Sequence, residues 1–196
     1  MIKILNERLV DTKKVTNILV TIAIIIGAFV VPTFLAKVIP LGKHQQLIIG
    51  TIVNMSLILT ALYTKGSMKT IAIATLPSIS TILGGLLFRG MTLYSKTMIP
   101  AIWLGNFAFI LLYKTLYVNK KVQYPISTVI AVLVKVAIIY LGFMIMVNAM
   151  IVPDIVKQTL NTSMGITQLI TAISGSILAS LIIIYTKIRK KTTKEE

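Results

Sequence analysis

No cysteine occurs in this chain, and histidine occurs once, at His44. The first absence removes disulfides, thiolate nucleophiles and cysteine-ligated iron–sulfur clusters. The two together exclude zinc sites built from several Cys or His ligands. Acidic residues are nearly as scarce. There are five (Glu7, Asp11, Asp154, Glu195 and Glu196) against twenty Lys and Arg. None of the five falls inside an apolar run, so a proton relay or sodium site of the usual kind is hard to build. Gly42 and Lys43 lack the preceding glycine and the following Ser or Thr of a Walker A loop, and neither HExxH nor GxSxG occurs. The chain is therefore not expected to be an enzyme, to hydrolyse ATP, to couple to an ion gradient, or to hold a metal or cofactor.

What is present is apolar. Of the 196 residues, 56% are hydrophobic, and they come in blocks of about 20, the length that crosses a bilayer core as a helix. The reading is an all-α, polytopic membrane protein, a bundle of six transmembrane helices in a single domain spanning residues 1–196. The expected spans are Asn17–Ala36, Gln46–Tyr63, Ile71–Phe88, Ile99–Tyr117, Ile126–Val147 and Ile166–Tyr185. Pro77 inside the third is tolerable where neighbouring helices satisfy the freed carbonyl. A polar lead over residues 1–16 carries Glu7, Arg8 and Asp11 and no early cleavage site of a signal peptide. A basic tail follows from residue 186. The last loop between spans, Asn148 to Gly165, holds Pro153, Asp154 and the cluster Asn161-Thr162-Ser163, all turn-formers.

The net charge of +15 does not point to nucleic acid, because most Lys and Arg sit between apolar runs or at the ends. With the N-terminus in the cytoplasm, fourteen basic residues fall on the inner side and five on the outer, Lys135 apart. The inner set includes Lys65, Lys69, Lys114, Lys120, Lys121 and the tail. That asymmetry places both termini in the cytoplasm of a cell (plasma) membrane.

Lys135 is the one full charge inside a span and sits near mid-depth of the fifth. A lysine there costs about 3 kcal/mol on insertion scales and marks a candidate site. Facing a cavity, it would meet an anionic ligand; otherwise it would snorkel or bond backbone carbonyls. Asn54, Asn106 and Gln168 also lie within spans. His44 and Gln46 sit at the outer mouth of the second. Trp103, Asn106, Ile110 and Tyr113 share a helical face. Each has a plainer role beside a ligand contact: interhelical hydrogen bonding for the asparagines, a packing seam for Gln168, interfacial anchoring for Trp103, a solvated loop for His44.

The segments Thr75–Phe88 (TLPSISTILGGLLF) and Ile99–Asn106 (IPAIWLGN) resemble small membrane proteins of low-GC Gram-positive bacteria, some of them labelled iron hydrogenase. A cluster of that kind has no cysteine ligands here. With six spans, both termini inside and outward-leaning polar groups, the chain also resembles the substrate-binding S component of energy-coupling factor (ECF) transporters. That resemblance implies a small vitamin-like solute captured near the outer side. It implies closure by the loop around Pro40 to His44 and docking on a coupling membrane protein with two ATPase subunits. Docking in that family uses small residues on the first helix, to which Ala23 and Gly27 are the nearest match. The competing expectation is a stand-alone membrane channel, facilitator or structural subunit.

Overall fold

The computed structural model describes residues 14–38, 45–83 and 92–195. The polar lead as far as Lys13, the loop with Pro40 and His44, and the stretch with Arg89 lie outside the described residues. Every regular element among them is helical. Helix α1 (Lys14–Ile25) runs through a π-helical turn (Ile26–Val30) into α2 (Val31–Val38). Helices α3 (Gln45–Tyr63), α4 (Ser67–Leu83), a short α5 (Thr92–Thr97) and α6 (Ile99–Tyr113) follow. A second π-helical turn (Lys114–Asn119) extends α6. The chain then continues with α7 (Tyr124–Ala149), α8 (Asp154–Met164) and α9 (Ile166–Glu195).

Five segments are long and apolar enough to cross a membrane: Ile18–Leu35, Gln45–Tyr63, Ile99–Asn119, Tyr124–Ala149 and the α8–α9 stretch Asp154–Thr186. The expected third span over Ile71–Phe88 corresponds to α4, which has 17 residues and carries Pro77 inside it. The chain is thus a multi-pass membrane protein by its helices.

Backbone chemistry explains the breaks. Pro100 and Pro125 stand in the first turns of α6 and α7, where a missing N–H costs nothing. Gly66, at φ +99°, turns α3 into α4 with a backbone that residues bearing a Cβ rarely adopt. In α3 the hydroxyls of Thr51, Ser56 and Thr60, and just past its end that of Thr64, each donate to the carbonyl four residues earlier. Polar side chains in an apolar setting are thereby satisfied inside their own helix. Near Pro77, Asn106 Nδ2 of α6 donates to the Ala74 carbonyl at 3.1 Å, tying α6 to the proline-bearing helix.

Two tight pairs, α3–α9 and α6–α7, form the centre, with α3 the most buried span and Ile18–Leu35 the least. Glycines set the spacing. A Cβ on Gly175 would lie 2.6 Å from Asn54 Cβ and 2.8 Å from both Met55 N and the Thr51 carbonyl. On the other pair, a Cβ on Gly105 would meet Ile139 Cγ1 at 2.7 Å. Helices α1, α2 and α4 flank α3 and α6. The hydroxyls of Thr33 and Ser80 meet at 2.8 Å, and both donate to the Phe29 carbonyl.

The stretch Asn148–Gly165 corrects the reading of a loop. It holds α8, whose Val156, Leu160, Ser163 and Met164 are buried. Val156, Leu160 and Met164 pack on Met98, Ile139, Phe143 and Met146. Helix α8 therefore covers one end of the bundle, beside the first turn of α3 and the last turn of α7.

Candidate functional site

Lys135 lies halfway along α7 with a relative exposure of 2%. Its Nζ donates to Asn54 Oδ1 at 2.5 Å and stands 4.9 Å from the centre of the Phe109 ring. Three helices meet there: α7 brings the ammonium, α3 the amide and α6 the ring. The ammonium can only donate, so the amide must turn its oxygen toward it. Asn54 Nδ2 then donates to the Gly50 carbonyl at 2.8 Å and to Thr171 Oγ1 of α9 at 3.2 Å. Thr171 in turn donates to the Gln168 carbonyl at 3.2 Å. The bonds run in one direction, from ammonium to amide to hydroxyl to carbonyl, and each polarises the next.

This arrangement leaves an asymmetry. Both Asn54 N–H groups are engaged, whereas an ammonium has three donors. Among the described residues, Asn54 is the hydrogen-bond acceptor that Lys135 meets, and no carboxylate pairs with it. The Phe109 face supplies a weak attraction, about 2 kcal/mol when desolvated. Among the described residues, no nucleophile with an adjacent base stands beside the Lys135 ammonium. Among the described residues no three His, Cys, Asp or Glu gather as metal ligands.

The other expected site residues are placed separately. Gln46 is half-buried at the α8 end, where its Oε1 accepts from Ser163 Oγ at 3.2 Å. Gln168 enters the central chain through its backbone carbonyl. Asn106 is buried but serves the Ala74 carbonyl. Trp103, 38% exposed, lies at the edge of the buried stripe of Asn106, Ile110 and Tyr113. His44 lies outside the described residues. Ala23 is on the exposed face of α1, and Gly27 faces α3, where a Cβ would meet Ser56 Oγ at 2.5 Å.

Toward the end away from α8 stands a second polar group that the sequence reading missed. Tyr113 OH donates to Thr128 Oγ1 at 2.8 Å and lies 3.0 Å from Ser176 Oγ. Tyr124 OH donates to the Ser176 carbonyl at 2.7 Å. Beyond it Lys114, counted from sequence among the inner-side charges at the end of the fourth span, is wholly buried and donates to the Thr64 carbonyl at 2.7 Å. Thr64 follows the last residue of α3, where a cation suits both the unpaired carbonyls and the helix dipole. The π-helical turn Lys114–Asn119 carries the helix two residues past the expected end of that span at Tyr117.

The chain matches no protein-family profile, no curated protein and no solved structure.

Proposed function

We propose that this chain is the solute-capturing membrane subunit of an uptake transporter of the ECF type. It would sit in a bacterial plasma membrane and work with a coupling membrane protein and two ATPase subunits. Helix α4 counts as the sixth traverse. With it, α1 begins and α9 finishes at the same end of the bundle, the end away from α8. The basic asymmetry of the sequence assigns that end to the cytoplasm, and α8 then lies on the outer side.

The observation that carries this reading is Lys135. A buried ammonium that meets, among the described residues, one neutral acceptor and no carboxylate is an expensive feature for a bundle to retain without an anionic ligand. The solute class is a small molecule bearing a carboxylate or phosphate. A second reading has its own observation. Asn54, Asn106, Thr171 and Gln46 all bond within the bundle, as they would in a stand-alone membrane protein held together by polar contacts.

Affinity isolation from the native membrane in mild detergent, read by mass spectrometry, separates the two. Co-purification of two ATPases and a coupling membrane protein is the expected result. Recovery of the chain alone, while a known S component from the same cells brings down its module, would favour the stand-alone reading.

A further inference from the structure

We propose that Ile151 and Ile155 are a lipid anchor. They seat the start of α8 in the headgroup layer of the bilayer, at the end of the bundle that α8 covers. This rests on the chain being a multi-pass membrane protein and not on solute capture.

The connection from α7 to α8 is short and held at several points. Met150 N donates to the Met146 carbonyl at 3.0 Å, and Lys157 N to the Pro153 carbonyl at 2.9 Å. Between them, Tyr94 OH of α5 donates to the Ile151 carbonyl at 3.4 Å. Met150 leaves α7 in extended backbone, at φ −133° and ψ 148°, where successive side chains turn to opposite sides. Met150 and Val152 pack on the apolar cluster beneath α8. Ile151, between them, is turned out and is 98% exposed. Ile155 follows in the first turn of α8 and is 73% exposed, beside the buried Val156. The outward direction of Ile151 is thus set by a held backbone whose neighbours face inward.

Depth supplies the occupant. Helix α7 has 26 residues, about 39 Å at about 1.5 Å per residue. That exceeds the hydrocarbon core of about 30 Å and fits a bilayer of about 40–45 Å with its headgroups. Its last turn therefore lies at headgroup level, and the start of α8 lies beside it. The exposed face of α7 carries Ile126, Ile130, Leu133, Leu141 and Ile145 at helical spacing, a lipid-facing stripe. Ile151 and Ile155 stand just past its end. Further along α8 the exposed residues are polar: Lys157, Gln158, Thr159, Asn161 and Thr162. Lys157 is placed for its ammonium to reach lipid phosphate while its stem lies along the apolar layer. Two isoleucines flanked by polar residues fall far short of the roughly 800 Å² per partner of a stable protein interface. Shallow insertion into a headgroup layer needs only a small apolar face with a basic residue beside it.

The single tryptophan, Trp103, makes a fluorescence test simple. Trp103→Phe gives a dark background in the full chain, and Ile151→Trp, Ile155→Trp or Thr159→Trp is added to it. Each protein is reconstituted alone in phosphatidylcholine vesicles, with iodide on both sides of the membrane. Parallel vesicles carry either a headgroup nitroxide or mid-chain bromines. The indole introduced by Ile151→Trp or Ile155→Trp is expected to lose most of the iodide quenching seen with Thr159→Trp. It should be quenched more by the headgroup nitroxide than by the bromines. Where one of the two isoleucine variants is not monodisperse, the other makes the same test. Full quenching by iodide, as with Thr159→Trp, overturns the proposal. So does an indole sheltered from iodide that neither lipid quencher reaches, since protein would then cover it, from this chain or a second copy. Stronger quenching by the bromines overturns it as well, by placing the segment in the hydrocarbon core.

Discussion

Gly175→Val is expected to remove most of the folded protein. The cause is backbone. A Cβ at this position would sit 2.8 Å from Met55 N and from the Thr51 carbonyl, and 2.6 Å from Asn54 Cβ. None of these atoms can swing aside without moving α3 away from α9. Parting that seam also breaks the hydrogen bond from Asn54 to Thr171. The penalty belongs at the upper end of overpacking costs, about 3 kcal/mol or more, a large share of a typical total stability of about 5–15 kcal/mol. Gly50→Ala is the control on the same seam. Its Cβ would meet side-chain atoms of Thr171, Cγ2 at 2.8 Å, Cβ at 3.0 Å and Oγ1 at 3.2 Å, rather than the backbone atoms met at Gly175, so a smaller loss is expected. Size-exclusion profiles and thermal unfolding midpoints in detergent check both. A Gly175→Val protein that is monodisperse and unfolds at the native temperature would show that the α3–α9 seam is looser than described.

The second large effect is a rescue. Asn54→Leu leaves the Lys135 ammonium buried without its acceptor, and truncating one partner of a buried charged pair costs about 3–5 kcal/mol. Lys135→Met alone removes the charge and leaves the Asn54 oxygen without its donor, at about 1–3 kcal/mol. The double variant Asn54→Leu/Lys135→Met has neither an orphaned ammonium nor an orphaned amide oxygen, and the loss of the Asn54 Nδ2 bonds to Gly50 and Thr171 is common to it and to Asn54→Leu. It is expected to be more stable than Asn54→Leu by itself, with a coupling energy of about 1.5 kcal/mol or more, inside the range for residues in contact. Thermal unfolding midpoints of the four proteins give the cycle. Simple additivity would mean that the two side chains do not depend on each other, and the site described above would lose its centre.

Parts of this site were legible in the sequence. Lys135 stood out because charge inside an apolar run is rare, and Asn54 for the same reason. Their pairing was not legible, since 81 residues separate them and only the packing of α3 against α7 and α9 brings them together. Thr171 carried no signal of its own, and geometry makes it the partner of Asn54. Phe109 carried no signal, because a phenylalanine in an apolar span is most simply core.

Helix α8 shows the reverse case, a signal that was present and outweighed. Pro153, Asp154 and Asn161-Thr162-Ser163 read as turn-formers. Yet Pro153 precedes the first residue of α8 and Asp154 occupies its first turn, both helix-start features. Val156, Leu160, Ser163 and Met164 recur at helical spacing, and those four are the buried ones. Lys114 was misplaced because basic residues near the end of a span are normally solvated, and nothing local announces the carbonyl of Thr64 as its acceptor.

The measurement that bears most directly on Lys135 as the anchor of an anionic solute is a thermal-shift screen. The purified chain is heated with a panel of small water-soluble carboxylates and phosphates, alongside Lys135→Met. At a hundredfold excess over its dissociation constant, a true ligand adds about 2.7 kcal/mol of stability, which is visible as a raised midpoint. The expected result is a rise with at least one anionic compound in the native chain and none with the same compound in Lys135→Met. An equal rise in both proteins, or stabilisation by neutral compounds alone, would contradict the account and leave Lys135 as a contact internal to the bundle.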